Sequence, residues 1–272
     1  MTRVDYVFAG YYTGSHDLPA ELIAARTTYQ RLASHQIPPA PTLDGFRTAT
    51  EQLLTAARTG GELLIRVDQA GVLAEQQAAN VAGQALRAAQ DQAKAELEAL
   101  VVDVRDDLIG NYLQPAFLTA VDQARADGPA LHNTGSSALA AAKPDAETRG
   151  ANVRFDKAVQ TYALIRYSWF QLVMVSPVSE FADRLPVFGE IRNLPQAWPE
   201  FSPQLTVPDL RQQAPWLTEP NPRSRLLWLA NHPEVEVWLP TPAEFDALIR
   251  ELYRRRPEAA APTHRAGQAV PA

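Results

Sequence analysis

The side chains that most often bind metals or carry out catalysis are sparse in this sequence. The chain has no cysteine, which excludes thiol nucleophiles, disulfides and cysteine-based metal sites. No two histidines stand three or four residues apart, so no helix carries a histidine pair for a metal ion. We expect all of them to be exposed polar residues: His16, His35, His132, His232 and His264.

One acidic group has a spacing that could hold a cation. Asp103, Asp106 and Asp107 lie within about one helical turn, where carboxylates three or four residues apart share a face. A divalent cation there would need ligands from a second acidic helix, and the alternative is a solvated acidic face. The sequence contains no phosphate-binding glycine loop, dinucleotide-binding turn or nucleophile elbow. It therefore predicts no catalytic residue, no cofactor and no metal.

A basic group lies near the C-terminus and consists of Arg250, Arg254, Arg255 and Arg256. Cations at the end of a helix complement its dipole, and a contact with an acidic partner is the alternative. Residues 1–128 carry the whole net charge of −6. The arginines could therefore dock onto the acidic half of a second copy or onto another assembly protein, although the same charges are compatible with solubility alone. Nucleic acid is not specifically indicated, because aromatic residues hardly interleave with these arginines.

The elements that would position these groups are mostly helices. No proline interrupts residues 62–114, and alanine, glutamine, glutamate and leucine dominate there, which predicts one long helix over 62–109. Its apolar stripe is narrow and must pack closely against a neighbour. We expect Val81, Leu86 and Leu97 to face another helix, in this chain or across a subunit interface. Because the heptad pattern is imperfect, a bundle is favoured over a long coiled coil.

Local patterns predict the other N-terminal elements. Alternation of apolar residues predicts a short strand over 3–9. Asp17 is expected to cap one helix and Gly60 to end the next. After the long helix, Pro115 should break or kink the chain, and residues 127–129, Asp-Gly-Pro, should end a short helix.

The C-terminal half has a different composition. Residues 129–144 are typical of a linker, and a helix should follow from Asp145 or Thr148 to about Val175. Between 177 and 242 the chain carries 12 of its 22 prolines, and all five tryptophans lie between Trp169 and Trp238. This predicts an irregular segment with its tryptophans packed on the helices.

Two smaller elements complete the C-terminal region. Apolar runs on either side of residues 231–234 predict a β-hairpin over 226–239. A capping box at 241–244 predicts a last helix to about Arg255. The chain thus divides into a helical region (1–128), a linker (129–144), a C-terminal region (145–256) and a disordered tail (257–272).

Composition and targeting signals indicate the broad class. The 272 residues are 46% hydrophobic and 21% charged, as in an ordinary globular protein. Asp5 interrupts the only early apolar stretch, and no later stretch approaches the length of a membrane span. We expect a mainly α protein without a signal peptide or membrane span, made in the cytoplasm.

These observations favour a non-enzymatic structural or assembly protein. Such a protein would self-associate or dock into a larger complex through its long helices, for example as a virion or phage-type scaffold or minor structural component. The alternative is an enzyme or small-ligand-binding helical protein with a tryptophan-lined pocket. A regulatory adaptor or secreted effector is a third possibility. Oligomeric state and partners would distinguish the first two.

Overall fold

Helices make up most of the described chain. A computed structural model describes residues 3–36, 46–63, 72–132, 146–175, 178–202, 204–217 and 221–254. Within these ranges the fold is mainly α, as the sequence predicts, and contains no β-strand. The helices are α1 (Arg3–Tyr12), α2 (Ala20–Ala33), α3 (Phe46–Thr59), α4 (Val72–Asp103), α5 (Arg105–Asp107), α6 (Gln114–His132), α7 (Ala146–Val173), α8 (Leu185–Phe188), α9 (Leu194–Ala197), α10 (Val207–Gln213), α11 (Pro222–Asn231) and α12 (Pro242–Arg254).

The predicted strand over residues 3–9 is wrong, because this segment is the helix α1. A strand would place Val7 and Phe8 on opposite faces, yet both are buried in one core. With Tyr11 they have the spacing of a single helical face. Since α1 packs against α7, contact with a long helix decides the structure of this short apolar run.

The first helix ends are partly as predicted. α2 follows Pro19, and no side chain caps it, so the predicted cap at Asp17 is wrong. α3 ends as predicted at Gly60, whose φ of +76° is a left-handed conformation that glycine adopts without strain.

The long helix is shorter than predicted. α4 has 32 residues and is about 48 Å long at about 1.5 Å per residue. The predicted start at residue 62 is wrong, because residues 62–63 are not helical, and 64–71 lie outside the described residues. α4 ends at Asp103, and the chain remains helical through α5, a π-helical segment (Leu108–Leu113) and α6.

The stop expected at residues 127–129 is wrong. Pro115 lies in the first turn of α6, directly after the π-helical segment, so the regular α-helical pattern is interrupted just before it while the chain stays helical. α6 continues through Gly128 to His132 rather than ending there. A Cβ at Gly128 would meet the Cβ of Ala230 at 3.0 Å. Glycine at this position therefore lets α6 lie close against α11.

Two hydrophobic cores are built on these helices. The small core joins α2, α3 and the middle of α4: Leu32, Leu53, Leu54, Ala57, Leu86, Ala89 and Ala93. The main core lies between α1, the end of α4, α6, α7 and the C-terminal elements. α7 begins and ends close to the predicted positions, and it buries Phe155, Tyr162 and Trp169 in the main core.

The predicted hairpin over 226–239 is wrong. Leu226 and Leu229 are buried on α11, which Asn221 caps by accepting a hydrogen bond from the Ser224 backbone N–H at 2.8 Å. The second half of the predicted hairpin is not helical, and it pairs with a different segment through a single antiparallel bridge between Ile191 and Val237. Two tryptophans of the segment, Trp198 and Trp216, are buried in the main core.

The last helix confirms its sequence signals. α12 begins at Pro242, and the capping box is formed: the Thr241 N–H donates to Glu244 Oε2 at 2.8 Å, and the Glu244 N–H donates to Thr241 Oγ1 at 3.3 Å. The proposed linker over 129–144 lies outside the described residues except for its helical start at 129–132. The tail from 257 lies wholly outside them.

Candidate functional site

A groove opens between α7, α8, the turn at 215–217 and α11. Its volume is about 660 Å³, within the range of about 300–1,000 Å³ typical of sites for small molecules. Most of its wall is apolar and aromatic: Ala163, Leu164, Tyr167, Phe170, Pro186, Leu217 and Pro222. Tyr162, Arg166, Asn221 and Arg225 supply the polar part of the lining.

A buried carboxylate holds the charged residues of the groove in place. Glu190 has no exposed surface. Its Oε1 accepts hydrogen bonds from Tyr162 Oη, at 2.6 Å, and from Arg225 Nε. Its Oε2 accepts from Arg166 Nε at 2.8 Å. A fully buried carboxylate requires such partners, since desolvation of an unpaired charge costs several kcal/mol.

Backbone carbonyls of α8 complete the positioning of both arginines. Arg166 Nη2 donates to Pro186 O at 2.7 Å. Arg225 donates to Pro186 O from Nη1 at 3.1 Å and to Val187 O from Nη2 at 2.7 Å. The two guanidinium groups thus tie α7 and α11 to the same turn of α8, and they form the charged floor of the groove.

The protonation states of this cluster follow from burial and from charge. Burial alone raises the pKa of Glu190, but Arg166 and Arg225 outweigh that effect and hold the pKa below its ordinary value. Burial and the neighbouring carboxylate both raise the pKa of Tyr162. Glu190 is therefore an anion with both oxygens occupied, and Tyr162 is a neutral donor. This arrangement is suited to fixing the groove rather than to transferring protons.

The apolar residues predicted to make interhelical contacts are buried inside this chain. Leu86 packs in the small core and Leu97 in the main core. Val81 is also buried. The alanine stripe of α4 thus finds its close neighbours in α2 and α3.

The four arginines near the C-terminus do not share one environment. Arg250 donates to Glu180 Oε2 at 2.6 Å and lies 3.9 Å from Asp246 Oδ2, so it pairs with acidic residues of its own chain. Arg254 is exposed at the end of α12. Arg255 and Arg256 lie outside the described residues.

The other chemistry-bearing residues do not converge on the groove. Asp106 pairs with Arg105, and Asp107 accepts from Asn111. Across the described ranges, no three acidic or histidine side chains are placed to hold a metal ion. The expectation of exposed histidines is wrong for His16, which is buried, and for His35 and His232, which are half-buried. The ring of His232 stacks on Trp228 with the ring centroids 4.1 Å apart.

Sequence reasoning missed the residues that build the groove. Glu190 and Arg225 are 35 residues apart in the chain, and Glu190 and Arg166 are 24 apart, so no short motif joins them. One local signal existed: Tyr162 and Arg166 are four residues apart beside the apolar face of α7. Polar residues placed there require buried partners.

Known proteins offer no guide to this site. No family model matches the chain, and searches of curated proteins and of solved structures return no match. None of the helices in the described ranges is long and apolar enough to cross a membrane.

Proposed function

We propose that this protein is a non-enzymatic helical binding protein, and that the groove between α7 and α11 receives a small, largely apolar molecule. The observation that carries the proposal is the groove itself: a volume of about 660 Å³ with apolar walls and a few convergent polar groups. Sites for small ligands have this composition, in which apolar walls supply affinity and the polar groups fix orientation.

The rigidity of the polar floor supports a binding role. Arg166 and Arg225 are each held by a carboxylate and by backbone oxygens. A site held in this way loses little conformational freedom when a ligand enters, which favours affinity. The walls differ from the tryptophan-lined pocket of the alternative hypothesis drawn from the sequence, because tyrosine, phenylalanine, leucine and proline line the groove instead.

A fluorescent probe tests the proposal without knowledge of the natural ligand. N-phenyl-1-naphthylamine is neutral and apolar, and its emission rises when it leaves water. We expect saturable binding to the full chain. Ala163 lines the groove on α7, so Ala163→Trp should fill the groove and weaken probe binding at least about tenfold, as overpacking of a small site does.

A matched control identifies the site. Ala146 is exposed at the first residue of the same helix, so Ala146→Trp introduces the same side chain away from the groove. It should leave probe affinity unchanged. If the probe does not bind, or if both variants bind it as the wild type does, the groove is not a ligand site.

Assembly is a second candidate function, favoured by the small core. α2, α3 and the middle of α4 form a packed unit beyond the main core, and such a unit is suited to docking. In this role the protein would be a cytoplasmic assembly protein or a minor virion component. Since Leu86 and Leu97 are buried within the chain, the contact would join Arg254, Arg255 and Arg256 of one copy to the acidic helical region, residues 1–128, of a second copy.

Sedimentation at low and moderate salt tests this second role. If the arginines dock an acidic surface, replacing Arg254, Arg255 and Arg256 by glutamine should weaken self-association, and added salt should do the same to the wild type. A wild-type chain that is a monomer at both salt concentrations argues against self-assembly.

A further inference from the structure

The floor of the groove carries more positive charge than its own carboxylate neutralises. Two guanidinium groups, those of Arg166 and Arg225, pair with one carboxylate, that of Glu190. The cluster therefore has an excess of one positive charge, and it lies beside walls that are mostly apolar. Such a charge attracts an anion more strongly than it would in open water.

Arg166 has hydrogen-bonding capacity left over. Its Nε donates to Glu190 and its Nη2 to Pro186 O. Its Nη1 has no hydrogen-bond partner among the residues that the structure describes. The Arg166 side chain is 27% exposed, whereas that of Arg225 is 6% exposed. A molecule in the groove can therefore reach the guanidinium group of Arg166 more easily than that of Arg225.

Resting on the proposed function, we propose that the groove selects a small amphipathic carboxylate: a molecule with an apolar body and a single carboxylate group. The apolar body would lie along Leu164, Phe170 and Leu217, and the carboxylate would accept from Arg166. A planar guanidinium suits a carboxylate in geometry, and one excess positive charge matches a monoanion. A volume of about 660 Å³ suits a small molecule, whereas a standard protein interface engages about 20–30 residues on each side.

A pair of isosteric competitors tests this selection on the wild-type chain. 4-Phenylbutanoate and 4-phenylbutanamide share an apolar body and differ in charge. Each is used to displace N-phenyl-1-naphthylamine from the full chain. We expect the carboxylate to compete at least about tenfold more tightly than the amide, the size of one charge-assisted hydrogen bond. Equal competition, or a preference for the amide, overturns the inference.

Variants assign the preference to Arg166. Arg166→Met should reduce the carboxylate preference to within about twofold, measured as the ratio of the two competitors' affinities in the same variant. Arg149 is exposed near the start of α7, and Arg149→Met serves as the matched control that keeps the full preference. If Arg166→Met lowers the melting temperature enough to obscure binding, Arg166→Lys replaces it. Lysine keeps a positive charge beside Glu190 but lacks the planar guanidinium group. The preference for the carboxylate over the amide should therefore fall again.

The outcomes separate the two proposals. A probe that does not bind, or that is insensitive to Ala163→Trp, contradicts the proposed function and the inference with it. A probe that binds in the groove and is displaced equally by both competitors contradicts only the carboxylate selection. A folded Arg166 variant that retains the full tenfold preference also contradicts it.

Discussion

The buried carboxylate at the floor of the groove allows a quantitative test of the fold. In Glu190→Gln the side chain keeps its size but loses its charge, and its amide nitrogen must face a donor of Arg166, Arg225 or Tyr162. Removal of one partner from a buried ion pair typically costs about 3–5 kcal/mol. Arg166 is 27% exposed and can regain water, whereas Arg225 is only 6% exposed. We therefore expect Glu190→Gln to lower the free energy of unfolding by about 3 kcal/mol, near the lower end of this range.

Urea unfolding followed by tryptophan fluorescence measures this loss. Trp216 reports on the site, because its Nε1 donates to Val187 O at 2.6 Å, and the same oxygen accepts from Arg225. With a urea dependence of about 3 kcal/mol per molar for a chain of this size, a loss of about 3 kcal/mol moves the midpoint by about 1 M.

An exposed ion pair provides the matched control. Glu180 pairs with Arg250, and their side chains are 59% and 50% exposed. Because solvent screens such a pair, Glu180→Gln should cost about 0–1 kcal/mol. If Glu190→Gln costs no more than this control, the interpretation of Glu190 as the anchor of α7 and α11 is wrong.

The pH dependence of the same variant gives an independent check. Arg166 and Arg225 hold the pKa of Glu190 below its ordinary value of 4.5. The stabilisation is therefore fully present above pH 4.5 and is lost as pH falls through the lowered pKa. Glu190→Gln lacks this contribution at every pH. The stability difference between wild type and variant should shrink on acidification below 4.5, and a difference that stays constant argues against this linkage.

Three further predictions concern other parts of the chain. Burial lowers the pKa of His16 below 6.5, and its Nε2 is buried with no partner in the described ranges. The unfolded chain therefore takes up a proton first as pH falls through 6.5, so melting temperature should drop below that pH, and His16→Gln should flatten the drop. Gly189→Ala would place a Cβ 2.4 Å from Trp169 Cη2 and should cost about 1–3 kcal/mol in urea unfolding, whereas Gly110→Ala, with nothing within 4 Å, should cost nothing. Thr241→Ala removes the cap of α12 and should cost about 1 kcal/mol in the same assay.

Helices with strong local signals were predictable from the sequence. The start of α12 follows from its capping box, and α7 (Ala146–Val173) lies close to the helix predicted from Asp145 or Thr148 to about Val175. By contrast, α1 and α11 are short apolar runs that fit a strand or a helix equally well by composition. Their structure depends on distant partners: α1 packs on α7, and α11 packs on α6 and α7.

The groove was not predictable for a related reason. Its anchor, Glu190, looks like any other acidic residue until the fold brings two arginines to it from positions 24 and 35 residues away. A buried charge cluster is a property of tertiary structure, and a single sequence records only its separate members. The placement of Leu86 and Leu97 against other helices could be inferred, because a narrow alanine stripe requires a neighbour whatever the topology.

The division into two cores has a consequence for how the chain opens. α2 contributes Leu22 to the main core and Leu32 to the small core, and α4 contributes Leu97 and Leu86 in the same way. Local opening of the small core would release α3 and leave the rest packed. Amide hydrogen exchange should then form a gradient along α4, faster around Leu86 and slower beyond Leu97. The two ends of one continuous helix would thus unfold separately, each with a different cooperative unit.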